Sequence, residues 1–209
     1  MRHSGIVNLN KSNFFKTITK NNVVIFMALF YIIGIVVGVI SLANSDAVLA
    51  FAAADFESFL NIRSGSEFTR IFISSFLGIL PFALLVFICG TSLVGVALTP
   101  LALVFRGFEY GVLSGFLYKE LSLQGIAFNS LILIPTTLVC VFGFLFAGKQ
   151  AFNFSLHLAR ISMPKGQTTG VYNDFKTYCK HFLLSLIFFV IAALLDAVMC
   201  VSFIKFFEF

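Results

Sequence analysis

Residues 106–118 read Arg-Gly-Phe-Glu-Tyr-Gly-Val-Leu-Ser-Gly-Phe-Leu-Tyr. Gly107, Gly111 and Gly115 recur at every fourth position, with Ser114 beside the last. On a helix of about 3.6 residues per turn they make one flat stripe onto which another backbone can close. Inside lipid, water drives no helix association, so small residues at this spacing are the expected mark of a helix–helix contact. Arg106 and Glu109, three apart, share one side of the helix, and Glu109 faces away from the glycines. Two uses of the stripe stay open. It holds this chain's own bundle while Arg106 snorkels to a headgroup, or it receives a partner's helix, a second copy of the chain included.

The surroundings of this stretch decide the fold class. The chain has 209 residues, 59% hydrophobic and only 11% charged, with a mean hydropathy of +1.02. Soluble domains carry about 25% charged residues, so this chain cannot cover a water-facing surface. It reads as an all-α integral membrane protein whose solvent is the lipid bilayer. The net charge of +5 does not point to nucleic acid, because the cations flank apolar spans instead of forming a basic stripe with interleaved aromatics. Cys89, Cys140 and Cys200 lie inside apolar runs, Cys179 stands just before one, and no Cys-x-x-Cys pair exists. Neither a disulfide framework nor a zinc site is expected, and no cofactor.

Taken outward from the stripe, the chain divides into a basic segment, 1–22, and a single helical membrane domain, 23–209. The first span is expected at about 23–43, long enough for a hydrocarbon core of roughly 30 Å, and Gly34 and Gly38 give it a small-residue face of its own. Residues 71–105 form an apolar run without a charged residue, with interruptions at Pro81, Gly90-Thr91-Ser92, Gly95, Thr99 and Pro100. At 1.5 Å per residue that run measures roughly 52 Å, too long for one straight crossing. A hairpin at Gly90–Ser92 is one solution. The favoured one is a long broken span ending at Arg106, with 107–121 as a short or re-entrant return. A further span is expected at 125–147, kinked at Pro135-Thr136-Thr137, where the hydroxyls can satisfy the carbonyl a proline leaves free. The last, 182–207, carries Asp196 in its middle. An acid at that depth either fixes helix register or serves a function.

Loop charge orients the five crossings. Residues 1–22 hold Arg2, Lys11, Lys16 and Lys20 with no acid. The loop 44–70 holds four acids against Arg63 and Arg70, and the loop 148–181 five cations against Asp174. The positive-inside rule then puts the N-terminus and 148–181 in the cytoplasm, with 44–70 and the C-terminus outside. Within 44–70, Leu49, Phe56, Phe59 and Leu60 fit a short helix capped by Ser45 or Asp46, lying on the outer leaflet or against the bundle. Within 148–181, Phe152, Leu156 and Ala159 fit an amphipathic helix, and Pro164–Gly170 reads as a linker.

The order Gly90-x-Ser92-x-x-Gly95, Arg106-Gly107-x-x-x-Gly111-x-x-x-Gly115-Phe116-Leu117, Gly125 and Ile134-Pro135 resembles the stage II sporulation protein M family. The resemblance covers nearly the whole chain. The proline usual shortly after Gly95 stands here at Pro100, which puts the local kink in doubt. The resemblance implies a multi-pass protein of the bacterial cell membrane, in spore formers the mother-cell membrane at the sporulation septum. There it implies a non-enzymatic scaffold that localises the peptidoglycan-degrading stage II sporulation proteins D and P during forespore engulfment.

The residues themselves offer no catalytic constellation. His3, His157 and His181 lie in basic segments without a carboxylate or cysteine at ligand spacing, and no nucleotide-binding motif is present. No catalytic or metal-binding residue is expected. The alternative to a scaffold is a small transporter or channel component, with Arg106, Glu109 and Asp196 lining a path, although nothing in the sequence brings those three together.

Overall fold

The computed structural model describes residues 11–63, 67–162 and 171–206, with the backbone alone described for 11–21 and for Lys205. The first ten residues of the basic segment, the linker Pro164–Gly170 and the final residues Phe207–Phe209 lie outside the described residues. Every regular element described is helical. The order is α1 (Lys11–Asn44), α2 (Asp46–Arg63), α3 (Phe68–Thr91), α4 (Gly95–Glu120) and α5 (Ser122–Phe128), followed by a π-turn (Asn129–Leu133). After it come α6 (Ile134–Ile161), α7 (Val171–Phe203) and a last 3₁₀ turn (Ile204–Phe206).

Among the described residues five stretches are long and apolar enough to cross a membrane: Asn22–Asn44, Phe68–Thr91, Gly95–Glu120, Ser122–Ile161 and Val171–Phe203. The number agrees with the sequence reading, but the division of the long apolar run does not. The break falls at the hairpin site, where Ser92 is extended (φ −96°, ψ 148°) and its N–H closes α3 by bonding the Cys89 carbonyl. Helix α4 then runs unbroken through Arg106 to Glu120, about 39 Å at 1.5 Å per residue, so 107–121 is neither a separate span nor re-entrant. The expected break at Arg106 assumed that a guanidinium must sit at an interface. Here Glu109 pairs with it at 2.5 Å, and the rings of Phe82 and Phe144 lie 5.2 and 5.9 Å from its centre. Neutralised and partly shielded in this way, an arginine can occupy the middle of a span.

The fourth crossing is longer than expected and holds its irregularity just before Pro135. That ring cannot donate to the ladder, and the chain takes a π-turn in which Ile134 N–H reaches back to the Asn129 carbonyl. Thr136 Oγ1 donates to the Ile132 carbonyl at 3.2 Å. The segment expected as a separate amphipathic helix continues α6 without a break. It buries Ala151, Phe154 and Ser155, while Phe152, Leu156 and Ala159 are half-buried.

Glycine contacts fix the packing order. Gly107 lies against the Tyr31 carbonyl and Gly111 against that of Ile35, while Gly34 and Gly38 meet the Val104 and Phe108 carbonyls. The register advances together on both chains, so α1 and α4 run parallel. Helices α6 and α7 are antiparallel, with ring contacts Phe144–Phe189 at 4.7 Å and Phe154–Tyr178 at 4.9 Å. Helix α2 folds back onto one end of the bundle, where buried Phe56 packs on Phe116 and Phe128. The α3–α4 hairpin closes the opposite end: Ser155 Oγ donates to the Ser92 carbonyl at 2.7 Å, and Tyr178 OH to that of Phe87 at 2.9 Å.

Candidate functional site

A cavity of about 300 Å³ lies beneath α2. Helix α2 contributes Asp55 and Arg63, α3 Ser75 and Gly78, and α4 Arg106 and Glu109. Thr136 and Thr137 of α6 and Asp196 of α7 complete the polar part of the lining. The charged trio that the sequence left scattered therefore faces one space, together with a second arginine. The expectation that nothing unites them is corrected. Asp196 stands on α7 and Glu109 on α4, and the packing of both helices against α3 and α6 brings them to the same void.

Two ion pairs line this cavity, built differently. Arg63 Nη2 donates to Asp196 Oδ2 at 2.6 Å and to Ser75 Oγ at 3.0 Å, and the Ser75 hydroxyl donates to the same carboxylate. The Arg63 guanidinium also sits 3.5 Å from the Phe59 ring centre. Both partners are buried, with side-chain exposures of 9% and 4%, and Arg63 Nε has no acceptor. Asp196 stands about two turns before Phe203, in the half of α7 nearer α2. The pair clasps α2 to α3 and α7. Arg106 and Glu109, by contrast, are neighbours on one helix, and Glu109 leaves 49% of its side chain exposed.

The remaining predicted residues are structural in placement. Gly34, Gly38, Gly107 and Gly111 form the α1–α4 seam, where an added Cβ would come within 2.2–2.4 Å of a backbone oxygen. Gly115 is looser, its nearest neighbour being Leu42 Cδ2 at 3.6 Å. Ser114 is buried and donates to the Tyr110 carbonyl. At the far end Gly90 abuts the Tyr178 hydroxyl and Ala151, and Gly95 packs on the Cys89 carbonyl. Ser92 accepts from Ser155 at its carbonyl, and its Oγ lies 3.3 Å from Val94 N. Pro135 sits beside the cavity-lining Thr136 and Thr137.

Sequence reasoning missed Arg63, counted only as loop charge, and Ser75. It also missed Asn129, which is fully buried between Tyr110, whose hydroxyl donates to it at 3.3 Å, and Tyr118, to whose hydroxyl it donates. A cation closing a predicted helix, and a lone asparagine in an apolar run, are the signals that were available. His157 Nδ1 lies 3.2 Å from Asp174 Oδ2 without hydrogen-bond alignment. Among the described residues no group of three or more His, Cys, Asp or Glu is placed to hold a metal ion. The four cysteines are all unpaired.

Helices of this length and apolarity, packed through glycines around a charged cavity, define a polytopic α-helical membrane protein. Residues 26–200 match the family model described as stage II sporulation protein M, and the chain belongs to that family. No curated protein and no solved structure matches it.

Proposed function

We propose that the chain is a non-enzymatic membrane scaffold that holds peptidoglycan-degrading partners at the sporulation septum during engulfment, stage II sporulation proteins D and P by family resemblance. The observation that carries this reading is α2. Its inner face is fixed to the bundle by Phe56 and the Arg63–Asp196 clasp, while its outer face leaves Asp46, Phe51, Ala54 and Glu57 exposed. Phe51 is 71% exposed on a helix anchored by Ala52 and Phe56 at its middle and by Arg63 at its end. A rigid shelf with one projecting aromatic among small and acidic residues suits an anchor in a partner's pocket. Loop charge puts this shelf outside the cytoplasm, where cell-wall enzymes work.

The test is co-purification from sporulating cells. Phe51→Glu is expected to reduce recovery of the wall-degrading enzymes at least about tenfold, the size of effect a lost aromatic anchor produces, with the membrane level of the chain unchanged. Wild-type recovery of the partners by this variant, or a wild-type chain that purifies without them, overturns the reading. Transport remains the second reading, favoured by the shared cavity of Arg106, Glu109 and Asp196. Solute movement by the purified chain in liposomes, abolished by Glu109→Gln, would establish it.

A further inference from the structure

The cavity has more binding capacity than its own ion pairs use. A guanidinium carries five N–H donors, and the bond from Arg106 to Glu109 takes one of them. Glu109 Oε2 accepts that bond, which leaves Oε1 on the half-exposed side chain. Asp55 is exposed at the α2 side of the cavity and, among the described residues, has no ion pair. Arg63 is nine-tenths buried in the wall with an unpartnered Nε. The space thus presents unused donors on cations and unused acceptors on carboxylates, within one volume of about 300 Å³.

Charge selects what fits. A simple anion would meet three carboxylates, Asp55, Glu109 and Asp196, and a simple cation would meet two guanidiniums. Either leaves like charges facing each other across one small cavity, where such contacts are disfavoured. A group carrying both signs satisfies both sets. The volume lies at the small end for ligand sites, enough for a headgroup-sized molecule. We propose that this cavity binds a small zwitterion bearing a primary ammonium and an oxyanion, the chemistry shared by an aminophospholipid headgroup and a free zwitterion. The ammonium is held by Asp55 and Glu109, and the oxyanion by Arg106.

Gly78 gives a clean test. It is an exposed residue that lines the cavity, and a Cβ added there meets nothing within 4 Å, so a side chain can start at this position without displacing a neighbour and Gly78→Leu is expected to narrow the cavity. The full chain in micelles is titrated with phosphatidylethanolamine, phosphatidylglycerol, phosphatidylcholine and soluble phosphoethanolamine, with binding read by native mass spectrometry and thermal shift. Phosphatidylethanolamine is expected to bind about tenfold or more tightly than phosphatidylglycerol, and also more tightly than phosphatidylcholine, whose quaternary nitrogen has no N–H to donate. Gly78→Leu should weaken that binding by about tenfold or more while the unliganded thermal midpoint stays at the wild-type value or rises. Binding of phosphoethanolamine as well supports the site and makes a free zwitterion sufficient; binding of the lipid alone supports it and makes the lipid the source. Equal or tighter binding of phosphatidylglycerol, unchanged binding in Gly78→Leu, or no binding of either ammonium compound overturns it. Partner co-purification is read separately, so loss of the scaffold reading leaves this one standing.

Discussion

Helix α4 has two working faces that solve opposite problems. On one, Gly107 and Gly111 let α1 approach until backbone meets backbone, and nothing polar is needed beyond the helices' own hydrogen bonds. On the other, two residues along, Glu109 opens with Arg106 onto a charged cavity. The dry face contributes cohesion, since in lipid close packing is the main attraction between helices. The wet face opposes it, because charges placed at membrane depth are unfavourable by roughly 2.5–3.5 kcal/mol each on insertion scales. A fold that needed only cohesion would have no reason to keep the second face. The contrast separates close backbone packing from charge placement on a single helix.

Breaking the dry face is expected to have the largest effect. In Gly111→Leu the first added carbon would stand 2.3 Å from the Ile35 carbonyl oxygen, which is backbone and cannot swing aside. The helices must part, at about 3 kcal/mol or more, the upper end for overpacked interiors. The chain should fail to accumulate, or run as an aggregate on size exclusion in detergent. Normal accumulation and elution would mean that α1 and α4 do not meet as described.

The clasp comes next. Asp196→Asn leaves Arg63 buried beside a neutral amide, and removal of one partner from a buried pair destabilises by about 3–5 kcal/mol. Thermal unfolding should fall accordingly, and α2 should become open to protease. The double change Arg63→Leu with Asp196→Leu should recover part of the loss, because two buried charges vanish together. Glu109→Gln, which takes the charged partner from an arginine only 23% exposed but leaves an amide oxygen to accept its bond, should cost less than breaking the clasp, about 1–3 kcal/mol. Asp196→Asn therefore cannot by itself distinguish transport from scaffolding, since it disturbs the fold. Glu109→Gln, which disturbs it less, can.

The membrane class, the five crossings and the glycine stripe were all legible from hydrophobic length and spacing. Partnership was not. Gly34 and Gly38 are as visible in the sequence as Gly107 and Gly111, yet their spacing gives no sign that these two pairs meet each other in preference to other helices. Arg63 and Asp196 are 133 positions apart, and only the α2 fold-back unites them. The error at Arg106 had a different origin. A rule about single charges was applied where a carboxylate three residues on and two phenylalanine rings from other helices change the balance. Local rules hold for the seam and fail at the cavity, where partners from other helices decide what a charge costs.

The smallest expected effect is also the most discriminating for the stripe. Spacing alone treats Gly115 as equal to Gly107 and Gly111, but its nearest neighbours are Leu42 Cδ2 at 3.6 Å and Val39 Cα at 3.8 Å, ordinary contact distances. An added methyl there meets a mobile side-chain end, fills space and removes a glycine from a helix interior, where glycine is worse than alanine by about 0.5–1 kcal/mol. Gly115→Ala should therefore leave the thermal midpoint unchanged or raise it slightly, while Gly111→Ala lowers it. The two substitutions are chemically identical and lie one turn apart on the same face, so helix propensity cancels between them and only the distance to α1 differs. Equal destabilisation by both would mean that the seam stays tight as far as Gly115; equal tolerance would mean that it is tight nowhere.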